Sequence, residues 1–142
     1  MNVDDSFLRE SRRPEARVMR AGEAYQGKQG LTYLQGLTRA TAGTRGICMT
    51  VVTLPPGARA KTHLHRAIET AVYVIEGDVE MQWGEKLEHL LAARAGDHLY
   101  IPADTPHRVM NNSAERCLAV VAHSAGDDQE GIEMRPELDG MG

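Results

Sequence analysis

Short runs rich in Val, Ile, Thr, Tyr and Leu recur along the chain: "LTYLQGL", "GICMTVVTL", "TAVYVIEG", "DVEMQW", "HLYIP", "HRVMN" and "RCLAVVAH". Each is about a strand in length, and Gly or Pro punctuates the intervals between them, so the pattern predicts an all-β chain. One stretch, "EKLEHLLAARAG", places Leu87, Leu90 and Leu91 at helical spacing. It is short and sits between two strand-like runs, and it reads better as a strand pair or hairpin arm. Many short strands in one domain predict a sandwich or barrel, since closure or double-sheet packing removes exposed edges. Pro55, Pro56 and Gly57 mark a firm turn, and Gly77 and Gly96 mark two more. Residues 1–25 read as an N-terminal arm, 26–136 as the barrel and 137–142 as a tail. Both ends carry little apolar pattern and are expected to lie along a neighbour or to be loosely held.

With 142 residues the chain fits one domain that can bury a core without disulfides. Its 16 basic and 20 acidic residues give a net charge of -4, which leaves no global basic field for nucleic acid. Arg9, Arg12, Arg13, Arg17 and Arg20 are interleaved with Glu10 and Glu15, the pattern of a solvated arm rather than a binding patch. No window approaches the roughly 18 apolar residues of a membrane span, and the first residues have no apolar leader core. The expectation is a cytoplasmic protein without membrane partners. Cys48 and Cys117 lie inside apolar runs and read as reduced, buried structural thiols.

Against this apolar background "KTHLHRAIETAVYVIEG" stands out. Polar groups in a sheet core are costly unless something binds them. On a strand His63 and His65 face the same way, which is chelating geometry, and Glu69, arriving after a short turn, can close a third corner of a facial set. In a second cluster, "GDHLYIPADTPHRVMN", Pro102 and Pro106 bracket a tight turn and His107 opens the next strand.

These stretches resemble the paired signature motifs of the cupin superfamily, G-x5-H-x-H-x(3,4)-E-x6-G and G-x5-P-x-G-x2-H-x3-N. Gly57, His63, His65, Glu69 and Gly77 match the first motif, and Gly96, Pro102, His107 and Asn111 match the second. The wider sequence, including "IETAVYV" and "PELD", is similar to small single-domain bacterial cupins. The resemblance implies a double-stranded β-helix, or jelly-roll barrel. It also implies one divalent metal ion (Fe, Mn, Ni, Cu or Zn) held by His63, His65, Glu69 and His107. Two departures stand out. Asp104 occupies a position that is usually Gly, which asks Asp to adopt a turn conformation it tolerates well. Seven residues rather than six separate Glu69 from Gly77, so counting back from Gly77 lands on Thr70. Either a bulge absorbs the extra residue or Thr70 takes the inward position; the count forward from His65 favours Glu69 as ligand.

His98 and Tyr100 share a strand face and are candidate acid or base groups at the barrel mouth. Trp83 and Tyr33 are candidate substrate-binding walls. His89 and His123 receive no role. The implied function is a small metal-binding cupin, an enzyme using the metal as a Lewis acid on an oxygen-rich small molecule through isomerase, decarboxylase, lyase or dioxygenase chemistry. The alternative is a non-catalytic binding or sensing cupin with a structural metal. A homodimer is expected from the arm and the sheet edges.

Overall fold

The computed structural model describes residues 15–20 and 22–140. The first 14 residues of the expected arm, with Arg9, Arg12 and Arg13, lie outside them, as do the last two of the tail. The strands are β1 (Ala24–Gln26), β2 (Thr32–Leu37), β3 (Cys48–Leu54), β4 (His63–His65), β5 (Thr70–Glu76) and β6 (Asp78–Trp83). They continue as β7 (His89–Arg94), β8 (His98–Ile101), β9 (His107–Met110), β10 (Cys117–His123) and β11 (Ile132–Met134). A single-turn helix α1 (Arg39–Ala42) and a 3₁₀ turn (Pro136–Leu138) complete the described elements. "EKLEHLLAARAG" contributes β7, the second arm of a hairpin with β6.

Two antiparallel sheets form, ordered β1-β2-β3-β10-β5-β8 and β11-β4-β9-β6-β7. This is the double-stranded β-helix that the resemblance implied. Strand alternation builds its interior. In β10, Cys117, Ala119, Val121 and His123 are buried while Leu118, Val120 and Ala122 are half-buried on the other face. In β3, Cys48, Thr50, Val52 and Leu54 turn inward by the same period of two. Both cysteines are buried and free. Inward residues of the two sheets meet in a core that includes Val52, Leu54, Val74, Val79, Met81, Leu99 and Ile101. Asp104 adopts φ 60° in the turn before β9, as the sequence required. Its carboxylate accepts from the backbone of Ala67, itself at φ 58°.

The described part of the expected tail is docked at Leu138 and Asp139. Leu138 is buried, Asp139 Oδ1 accepts from the Thr62 amide at 2.7 Å, and the Asp139 carbonyl accepts from Arg108 at 2.7 Å. Arg108 faces away from the barrel interior yet is only 1% exposed, because this segment and Gln82 cover it. Burying a guanidinium requires such partners. At the other end of the expected arm, β1 pairs with β2 and Tyr25 stacks on Tyr33.

Asn111, the last residue of the second motif, locks the far end of the barrel. It is fully buried; its amide donates to the carbonyls of Leu54 (2.9 Å) and Glu115 (2.7 Å), and its Oδ1 accepts from Ser113 N and Oγ. Asn111→Ala should therefore lower the free energy of unfolding by about 2–4 kcal/mol, through lost hydrogen bonds and the buried Leu54 carbonyl's loss of its side-chain donor. Chemical denaturation checks this, and an unchanged midpoint would remove Asn111 from the lock.

Candidate metal centre

Three histidines meet at one end of the barrel because two strands bring them into register. His63 and His65 lie two apart on β4, and His107 is the direct cross-strand partner of His63 on β9. Ring centroids are 4.4 Å apart for His63 and His107, 5.2 Å for His63 and His65, and 6.1 Å for His65 and His107. One ring nitrogen from each lies within 4.8 Å of the other two, and all three residues are 4% exposed.

The second nitrogen of each ring is tied to backbone. Nδ1 faces the carbonyl of Lys61 for His63 (2.8 Å), Thr105 for His107 (2.9 Å) and, more loosely, Glu130 for His65 (3.4 Å). A carbonyl only accepts, so each Nδ1 carries the proton and each Nε2 presents a lone pair. This arrangement is how proteins orient histidine ligands. Burial disfavours the charged rings: His107 is pushed down to about 4, His63 well below its usual range, and His65 below it too. Three neutral imidazoles with converging lone pairs have no donor among themselves. Their donor chemistry fits a divalent transition ion.

Glu69 does not join them. It is exposed on the opposite side of the strand, where its carboxylate accepts from the Tyr100 hydroxyl. The turn with Ala67 at positive φ places four residues between His65 and Thr70, and β5 then turns Thr70 and Val74 inward, with Val72 half-buried in phase. A bulge does occur on β5, but at Ile75, between the pairs Val74–Ala119 and Glu76–Leu118, too late to return Glu69 to the interior. Thr70 thus holds the inward position. Among the described residues, the side chains clustered here are neutral donors.

His98 and Tyr100 share a face, but it is the outer one. Leu99 and Ile101 take the inward positions of β8; His98 lies against Tyr73 at 4.9 Å, and Tyr100 is 58% exposed. Neither lines the interior. Trp83 is cross-strand from His107, half-buried, and stacked on His89 at 4.2 Å. It packs against the core rather than lining the cavity beside the histidines. Tyr33 does line that cavity, buried at 5% exposure.

Two polar lining residues, Gln29 and His123, received no role from the sequence. Gln29, 2% exposed, lies in a loop without pattern and accepts from Gln129 Nε2 at 3.2 Å. His123 ends β10, 4.5 Å from the His65 ring, with Nδ1 2.8 Å from Thr70 Oγ1. Its phase with Cys117, Ala119 and Val121 is the signal that could have found it. The cavity has a volume of about 60 Å³ and, among the described residues, no Asp, Glu, Lys or Arg lines it. A larger open groove of about 420 Å³, near Asp78, Arg94 and Asp97, contains none of these histidines.

A family profile described as a cupin domain matches residues 50–123, just over half of the chain and inclusive of the three histidines. The chain is a cupin. Among solved structures, this cupin is similar to an uncharacterized conserved protein with a double-stranded beta-helix domain from Klebsiella pneumoniae. The two are 21% identical with a TM-score of 0.60, over 89% of this chain and 92% of that one. It is also similar to oxalate decarboxylase from Bacillus subtilis (22% identical, TM-score 0.65, 80% of this chain) and spans 30% of that protein. A putative sugar phosphate isomerase from Acidithiobacillus ferrooxidans is 21% identical with a TM-score of 0.58, over 72% of this chain and 66% of that one. No curated protein sequence matches the chain. At these identities the structural likeness establishes the shared fold.

Stability of the metal-free cupin should fall with acid. In an unfolded chain histidine titrates near 6.5, whereas in the fold His107 is lowered to about 4 and His123, desolvated beside His65 and His63, to about 3. Between these values the unfolded chain binds more protons, so the contribution is complete above pH 6.5 and is lost as pH drops towards 4. Denaturant titrations at pH 7.5 and about pH 5 check this, and equal unfolding free energies would contradict it.

Proposed function

We propose that this cupin binds one divalent metal ion through Nε2 of His63, His65 and His107 and presents it to a small anionic molecule. The observation that carries the reading is the set of three buried, neutral imidazoles whose Nδ1–H groups are each committed to a backbone carbonyl. When bound, the ion supplies a Lewis acid whose full charge is undiminished by a carboxylate ligand. That favours an anionic oxygen donor. Imidazole suits Zn, Cu, Fe and Ni, while Mn prefers oxygen ligands, so the displacement of Glu69 moves manganese down the expected order.

The chain's own residues set the rest of the site. Aliphatic side chains such as Val72, Leu99, Ile101 and Val109 keep the cavity apolar, and Gln29 and Tyr33 add polar groups to its lining. The space of about 60 Å³ is well below the roughly 300–1,000 Å³ of a pocket for a drug-sized molecule, which favours a small ligand. Of the activities named for the similar structures, one on a small dicarboxylate suits this space better than one on a sugar phosphate. The reading is therefore Lewis-acid chemistry on a short carboxylate or related oxygen-rich anion. A second reading, a non-catalytic binding cupin, is favoured because no carboxylate or lysine among the described residues lines the cavity to act as acid or base.

Elemental mass spectrometry on protein purified without a histidine tag tests the reading. About one equivalent of metal is expected, lost in His107→Ala with the circular dichroism spectrum retained, and kept in Glu69→Gln. Metal-free wild type after metal supplementation, or loss of metal in Glu69→Gln, would contradict it. Turnover of short carboxylates that persists without dioxygen separates redox-neutral from oxygenase chemistry, and binding without turnover selects the second reading.

A further inference from the structure

A fourth imidazole, His123, faces the cavity that the three ligand histidines share, and nothing in the two cupin motifs accounts for it. It is 5% exposed and reaches the site from β10, the strand paired to β5 so that His123 lies directly opposite Thr70. Its ring lies 4.5 Å from that of His65, yet it is not one of the three residues whose ring nitrogens cluster within 4.8 Å. A buried polar ring beside the histidine cluster, but outside it, calls for a partner of its own.

The hydrogen bond between Thr70 Oγ1 and His123 Nδ1, at 2.8 Å, decides which proton the ring carries. Among the described residues the buried Thr70 hydroxyl makes no other hydrogen bond, and donation to Nδ1 is the arrangement that satisfies its O–H. His123 then has its proton on Nε2, the opposite tautomer to the other three rings. Those three are tied at Nδ1 to carbonyls and offer lone pairs; His123 is tied at Nδ1 to a hydroxyl donor and offers an N–H. No hydrogen bond from His123 Nε2 is made to any described residue.

We propose that His123, set in its Nε2–H tautomer by Thr70, is the hydrogen-bond donor that holds and orients an anionic ligand bound at the three-histidine metal site. The inference rests on the metal-binding reading above and deepens it: the ligand carries a donor atom for the metal and an acceptor within reach of a neutral N–H. A neutral donor in an aliphatic cavity selects anions that fill a small space over larger hydrated ones, because no lining cation among the described residues rewards charge alone. Thr70, in the inward place that the forward count gave to Glu69, acts through His123 as a positioning residue.

Two measurements test this. Long-range ¹H–¹⁵N spectra of the metal-free wild type at neutral pH should show His123 as the Nε2–H tautomer. Thr70→Val, which removes only the hydroxyl, should mix or reverse it. Azide titration of the Co(II)-loaded protein, followed by its visible spectrum, should give a dissociation constant raised about tenfold or more in His123→Ala. Cobalt stoichiometry should stay near one, and Thr70→Val should weaken azide by a smaller factor. An Nδ1–H tautomer in the wild type, or unchanged azide affinity in a folded His123→Ala, overturns the proposal while leaving the metal site intact. Loss of cobalt in His123→Ala would make it a ligand and also overturn it. Failure of the wild type to take up cobalt would overturn the metal reading and this inference together.

Discussion

Burying imidazoles side by side is tolerable only if both nitrogens of each ring have work to do, and this constraint organises the barrel. The carbonyls that hold the three clustered rings come from different parts of the chain: Lys61 just before β4, Thr105 in the Pro-flanked turn before β9, and Glu130 in the loop between β10 and β11. Each supporting segment is itself pinned. Asp104 at positive φ returns its amide to the His65 carbonyl, and Gly131 accepts from the Arg66 amide. The C-terminal segment closes over β9 through Arg108 and over the start of β4 through Asp139. The loops are therefore part of the site, since they fix which nitrogen of each histidine is free.

Much of this was legible beforehand, and the physical reason is periodicity. Alternating apolar residues bounded by Gly and Pro gave the strands, and His63, His65 and His107 were readable because an H-x-H pair on one strand and a histidine opening another are local features. Glu69 was misplaced because a linear count cannot tell on which side of a turn the extra residue falls. The left-handed Ala67 consumes one position, so Thr70 rather than Glu69 begins the inward phase of β5. His98 and Tyr100 were assigned a common face correctly, but alternation alone does not say which face is inner; the apolar Leu99 and Ile101 decide it. His123 was hidden because it is a strand end in sequence and a site residue only through its pairing with Thr70. The docking of Leu138 and Asp139 had no periodic signal at all.

The replacement of a carboxylate by a threonine paired with a fourth histidine changes the electrostatics of the centre more than its shape. A facial set with one carboxylate cancels part of a divalent charge; three imidazoles cancel none. With no charged side chain among the described residues lining the cavity, a bound ion would be the dominant local charge there. Fold likeness to a decarboxylase and to a putative isomerase is compatible with many chemistries, and the donor set, rather than the barrel, narrows them.

The most direct measurement of the central claim is X-ray absorption at the zinc edge of protein loaded with one equivalent of zinc. The account predicts a first shell of three imidazole nitrogens at about 2.0–2.1 Å, with the remaining scatterer a light atom from solvent or added anion, and no change on Glu69→Gln. A first shell containing a protein carboxylate that disappears in Glu69→Gln, or fewer than three imidazoles, would contradict it.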